Sequence, residues 1–140
     1  MTHKILIVDD DVNVLFVIKA ALAPHYEVLT APDGEAGLEI IKKENPSFVF
    51  LDITMPGISG VQVLGMLKDL GLAPVVWMLT GSEDLDTAAL TLKGGASGYL
   101  TKPFDMERLR NIVFNALLDL ENTKVESRAG DKPWRVEKKK

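Results

Sequence analysis

Two apolar runs in this chain end in carboxylates. Phe48-Val49-Phe50-Leu51 leads into Asp52, with Ile53-Thr54-Met55-Pro56-Gly57 directly after it, and Ile5-Leu6-Ile7-Val8 leads into Asp9-Asp10-Asp11. Short apolar runs closed by turn residues read as strands buried on both faces, which puts these acids where buried strands reach solvent. Asp is also a common turn residue, and acids complement the positive end of a helix dipole, so Asp52 has a bland reading as a turn starter and Asp11 is assigned to helix capping. If Asp9, Asp10 and Asp52 converge, they repel one another and raise their own pKa values unless a cation intervenes. Carboxylates joined by a carbonyl and waters suit Mg²⁺, and the motif offers no His or Cys for zinc. Thr80 closes the run Val75–Leu79 and Lys102 follows Tyr99-Leu100-Thr101. A hydroxyl and an ammonium at the same rim could each hold an oxygen of a phosphoryl group on Asp52. Singly, a strand Thr and a surface Lys are unremarkable.

The elements that must position these residues follow from hydrophobic period and breakers. Strands are expected at Lys4–Val8, Tyr26–Ala31, Phe48–Asp52, Val75–Leu79 and Tyr99–Thr101. Helices are expected between them. The first carries Val14, Leu15, Ile18, Ala21 and Leu22; the second is capped by Asp33 and runs to about Glu44; the third is capped by Ser59, runs through Val63, Leu64 and Leu67, and stops at Gly71. The fourth is expected to be capped by Ser82 and to pass through Leu85, Ala89 and Leu92; the fifth is capped by Asp105 and carries Leu109, Ile112, Val113, Ala116, Leu117 and Leu120 on one face. Strict alternation predicts an α/β fold: a doubly wound, flavodoxin-like (βα)5 unit with a five-stranded parallel sheet. Placing the most apolar strands inside gives the order 2-1-3-4-5, whose connections diverge beside strands 1 and 3 and leave a crevice at their carboxyl ends. Asp9 and Asp10 would form one wall and Asp52 the other.

The 140 residues, 46% of them hydrophobic, suit one domain with an appendage. The chain has no cysteine, hence no disulfide framework and no thiolate metal site, and a cytoplasmic location is expected. Ile5–Val8 is too short for a signal-peptide core, and no run approaches the roughly 20 apolar residues of a membrane span. Residues 1–120 carry nine Lys/Arg against sixteen Asp/Glu, and residues 121–140 seven against four. The acidic body argues against direct nucleic-acid binding. Residues 121–140, with Gly130, Pro133 and Lys138-Lys139-Lys140, read as a polar, basic extension or linker to a domain of residues 1–120.

Four stretches taken together resemble one family. Ile5-Leu6-Ile7-Val8-Asp9-Asp10, Phe50-Leu51-Asp52-Ile53-Thr54-Met55-Pro56-Gly57, Met78-Leu79-Thr80-Gly81 and Gly98-Tyr99-Leu100-Thr101-Lys102-Pro103-Phe104 are similar, in order and spacing, to those of the receiver domains of two-component response regulators. The resemblance covers about residues 3 to 120, and 2-1-3-4-5 is that family's known strand order. It implies that Asp52 is the phosphoacceptor, that Asp10 and the Thr54 carbonyl help bind Mg²⁺ with Asp9 in support, and that Thr80 and Lys102 are switch and anchoring residues. It further implies a cis Lys102–Pro103 peptide, a Tyr99 that rotates inward on activation, and signalling through the face of helix 4, strand 5 and helix 5. The implied partners are a sensor histidine kinase or phosphotransfer protein, a downstream effector, and a second copy docked through that face. Such a domain is not an enzyme beyond its own Mg²⁺-dependent phosphorylation and dephosphorylation.

Other classes fit less well. A haloacid-dehalogenase-like phosphatase expects a second acid two residues after its nucleophile, where Thr54 stands, so it would lack a general acid. A flavodoxin-like FMN carrier would not place Asp9-Asp10-Asp11 against a phosphate, and a purely structural module has no need of all five rim residues. Trp77 reads as a core residue. Thr54 and Ser82, two residues beyond Asp52 and Thr80, carry no long amide or carboxylate to orient an attacking water, which predicts a persistent phosphorylated form.

Overall fold

The five apolar runs form one parallel sheet in the order β2-β1-β3-β4-β5, as the sequence predicts, in the computed structural model of the chain. Residues 3–81 and 85–128 are described. The strands are β1 (Lys4–Val8), β2 (Glu27–Ala31), β3 (Phe48–Asp52), β4 (Val75–Thr80) and β5 (Gly98–Thr101). The helices are α1 (Val12–Leu22), α2 (Gly34–Glu44), α3 (Gly60–Asp69), α4 (Leu85–Lys93) and α5 (Met106–Arg128).

The two-residue period of a strand sorts its side chains into two cores. Leu6, Val8, Val49 and Leu51 face one cluster, with Ile41 of α2, Val63, Leu64 and Leu67 of α3, and Ala88 of α4. Ile5, Ile7, Phe48 and Phe50 face the other, with Ile18 and Leu22 of α1 and Leu109, Val113 and Leu117 of α5. All five residues of β3 are buried. Phe48 and Phe50 are fully buried, and each contributes roughly 2–3 kcal/mol. The central strand therefore cannot shift without cost, and it carries Asp52 at its end.

Caps set the helix starts where the sequence places them. Asp11, Asp33 and Ser59 accept hydrogen bonds from the backbone N–H groups of Asn13, Ala36 and Gln62, and Asp105 accepts from Glu107. Each satisfies a donor that the first turn leaves open. Gly71, with φ of 72°, follows the end of α3.

Helix α4 passes through Leu85, Ala89 and Leu92 as expected, leaves these three exposed, and buries Ala88 and Thr91. Small residues let the helix approach the sheet closely, and the Thr91 hydroxyl is satisfied at once by the Ala88 carbonyl at 2.6 Å. Helix α5 runs to Arg128, so the boundary expected at residue 120 falls inside a helix. No Gly or Pro interrupts residues 121–128, and Glu121 is held by His3 Nε2 at 2.8 Å, whose Nδ1 lies 3.2 Å from Ser47 Oγ. Ser82, expected as the α4 cap, and residues 129–140 of the expected linker lie outside the described residues.

Candidate functional site

Parallel pairing brings the carboxylates together. Val8 is in register with Leu51, so β1 and β3 end side by side and release Asp9 and Asp52 at the same rim. The pairing continues past the strand ends through Asp9 N–H to Ala31 O at 3.1 Å and Ile53 N–H to Leu79 O at 3.0 Å. Carboxylate oxygens of Asp9, Asp10 and Asp52 all lie within 4.8 Å of one another. Asp9 is fully buried, Asp52 is 5% exposed, and Asp10 faces solvent.

Lys102 reaches this cluster from beyond β5, where its backbone N–H donates to Thr80 O at 2.8 Å and its peptide with Pro103 is cis. Its Nζ lies 2.9 Å from Asp9 Oδ2 and 3.5 Å from Asp52 Oδ2, so it bridges the two acids and sits nearer the deeper one. Asp9 Oδ1 accepts the Asp11 backbone N–H at 2.9 Å. Asp9 Oδ2, despite its contact with the ammonium, accepts no aligned hydrogen bond.

Burial, and then the neighbouring Asp9 charge, push the Asp52 carboxyl up to about 7, against the opposing pull of Lys102. Burial works against the Lys102 charge, but the Asp9 and Asp52 carboxylates outweigh it and raise the ammonium above its ordinary value. The site thus holds more negative charge than one lysine neutralises. The ligand atoms it offers are all carboxylate oxygens, which suits a hard divalent cation. The carboxylates of Asp9, Asp10 and Asp52 are the groups that could hold one; Thr54 is exposed.

The remaining predicted residues reach the site unequally. Thr80 is fully buried, and its hydroxyl donates to Gly81 O at 2.9 Å, turned to its own backbone rather than across to Asp52. Tyr99 is half-buried against the cluster under α3 and α4. Sequence reasoning missed the Lys102–Asp9 contact and the role of Gly60. Gly60, at the first position of α3, is buried against the Asp52 peptide. A glycine directly after a capping serine, where most residues form helix better, was the available signal.

Comparison with known proteins agrees with this geometry. The model of the response regulator receiver domain family matches residues 5–114. The chain is 36% identical over 120 residues to a probable transcriptional regulator, ycf27, of Cyanophora paradoxa, covering 85% of this chain and 50% of that protein. It is 35% identical over 105 residues to the alkaline phosphatase synthesis transcriptional regulatory protein PhoP of Bacillus subtilis, covering 74% of this chain and 44% of that one. The chain spans about half the length of the curated relatives it matches. Among solved structures, a receiver domain protein from Clostridium thermocellum superposes with a TM-score of 0.80 at 35% identity, covering 86% of this chain and 98% of that one. A CheY-like receiver domain protein from Methanospirillum hungatei gives 0.82 at 30% identity, covering 88% and 99%.

Proposed function

Because this chain belongs to the receiver domains of two-component response regulators, we propose that Asp52 accepts a phosphoryl group from a phosphohistidine on a sensor kinase or phosphotransfer protein. The observation that carries this reading is the convergence of Asp9, Asp10 and Asp52 with Lys102 at the end of the central strand. A carboxylate oxygen of Asp52 attacks phosphorus in line as the bond to the histidine nitrogen breaks, and the imidazole leaves with the electron pair and takes up a proton. Asp9, Asp10, Asp52 and the Thr54 carbonyl would hold Mg²⁺, which when bound supplies positive charge to the phosphoryl oxygens and keeps Asp52 ionised at neutral pH. The Lys102 ammonium, already 3.5 Å from Asp52, pairs with one of those oxygens.

We assign the switch to Thr80 and Tyr99. An incoming phosphoryl oxygen competes with Gly81 O for the Thr80 hydroxyl, and the move opens space into which Tyr99 settles more deeply. This shifts a pre-existing equilibrium of the surface formed by α4, β5 and α5. Leu85, Leu90 and Leu92 of α4 are exposed, which suits an effector or a second copy. We place the domain in the cytoplasm, without direct contact to membrane or nucleic acid; no described helix is long and apolar enough to cross a membrane. Beyond its own phosphorylation and dephosphorylation it turns over no substrate.

Incubation with acetyl phosphate and Mg²⁺, followed by intact-protein mass spectrometry, tests the reading. One acid-stable, base-labile phosphoryl group is expected on the wild type and none on Asp52→Asn. Equal labelling of the variant rules out the assignment.

A further inference from the structure

The segment from Asp52 to Gly60 leaves the sheet and returns to its own starting point. The Gly60 N–H donates to Ile53 O at 2.8 Å, which closes the loop at its neck. Ile53 and Met55 are buried in the core cluster shared with α2, α3 and α4. On the far side, the loop is anchored by reciprocal bonds in which Ser59 Oγ accepts the Gln62 N–H at 3.2 Å and Gln62 Oε1 accepts the Ser59 N–H at 2.8 Å. The start of α3 is therefore fixed, and its first residue bears on the phosphoacceptor's own peptide. A Cβ on Gly60 would overlap the Asp52 carbonyl oxygen and stand 2.9 Å from the Asp52 carbonyl carbon and 3.0 Å from Ile53 Cα. All three obstacles are backbone, which cannot rotate aside.

Gly65, on the same helix, makes the contrast clear. A Cβ there would meet nothing within 4 Å. Among the described glycines, only Gly60 has Asp52 as the obstacle.

We infer that Gly60 is a positioning residue for the phosphoacceptor. By lacking a side chain, it lets the first turn of α3 seat against the Asp52 peptide. That seat fixes the Asp52 carboxylate and, two residues on, the Thr54 carbonyl relative to Asp10 and Lys102. The role rests on the reading of Asp52 as phosphoacceptor. Any side chain at position 60 must push the Asp52 peptide away from α3 or tilt α3 off the sheet, and the first of these moves both donor atoms together. Displacement of a reacting group by about 1 Å can cost on the order of 100-fold in rate.

Gly60→Ala and Gly65→Ala in the full chain test this, with acetyl phosphate and Mg²⁺ as probes and labelling rates taken per folded molecule by circular dichroism. Gly60→Ala is expected to label about 10- to 100-fold more slowly than the wild type, and Gly65→Ala, whose new methyl meets nothing within 4 Å, at the wild-type rate. A glycine that only stabilises the fold would leave the rate per folded molecule unchanged, and that result overturns the proposal. The wild type supplies a second readout, needed if Gly60→Ala does not fold: in ¹H–¹⁵N spectra, Mg²⁺ alone should shift the Gly60 amide together with those of Asp10 and Thr54. A Gly60 amide that stays in place while Asp10 moves overturns the proposal equally. A wild type that takes no label refutes the phosphoacceptor reading instead, and the Gly60 amide still reports on its coupling to the metal site.

Discussion

Removing the Asp52 charge should make the metal-free protein more stable. The folded chain holds the Asp52 proton up to about pH 7, whereas the ordinary value is 3.8. From about pH 4 to pH 7 the native state binds more protons than the unfolded chain, so stability falls as pH rises through this window. The contribution is fully present below about pH 4 and is lost above about pH 7. Roughly three pH units at 1.36 kcal/mol each set a ceiling of about 4 kcal/mol, and the wet rim with Lys102 at 3.5 Å reduces this to about 2 kcal/mol. Asp52→Asn removes the titration and keeps the shape. In urea or thermal unfolding with EDTA, the variant should exceed the wild type by about 2 kcal/mol at pH 8, or about 6 °C in Tm, and match it near pH 4. A variant less stable than the wild type at pH 8, or two parallel pH profiles, would refute the reasoning.

Lys102→Gln leaves Asp9 buried without its 2.9 Å counter-ion, so urea unfolding should show a loss of about 3 kcal/mol at neutral pH. Acetyl phosphate labelling should slow in the same variant, and a variant as stable as the wild type would contradict the bridging role. Gly98→Ala should cost about 1–3 kcal/mol in the same assay, because the new methyl would stand 2.6 Å from the Trp77 ring. The phosphorylated form should persist, and Thr54→Asn with Ser82→Glu should shorten its life by orienting the attacking water. A double variant that loses phosphate no faster than the wild type counts against that account.

The parts of this molecule legible in its sequence are those governed by local rules. The five apolar runs, the caps Asp11, Asp33, Ser59 and Asp105, and the interior place of β3 follow from period and turn chemistry, and the acids fall together because parallel strands end on one side. The buried face of α4 was not legible, because leucines outweigh Ala88 and Thr91 in any hydrophobic count, although small residues decide how closely a helix can sit. Helix α5 was cut short because a drop in apolar content at Glu121 looks like a domain end, while its contact to His3 joins residues 118 positions apart. Distance in sequence also hid the nearer partner of Lys102, since nothing local ranks Asp9 above Asp52. The turn of the Thr80 hydroxyl onto Gly81 O is a rotamer choice, which residue type does not specify.

The central claim, that phosphoryl transfer ends on Asp52, is tested most directly by locating the bond. Borohydride reduction of the protein after treatment with acetyl phosphate and Mg²⁺ converts an aspartyl phosphate to homoserine, which tandem mass spectrometry places in the sequence. Homoserine should appear at position 52 alone, and only when donor and Mg²⁺ are both present. Homoserine at position 9 or 10, or labelling that is indifferent to Mg²⁺, would contradict the account.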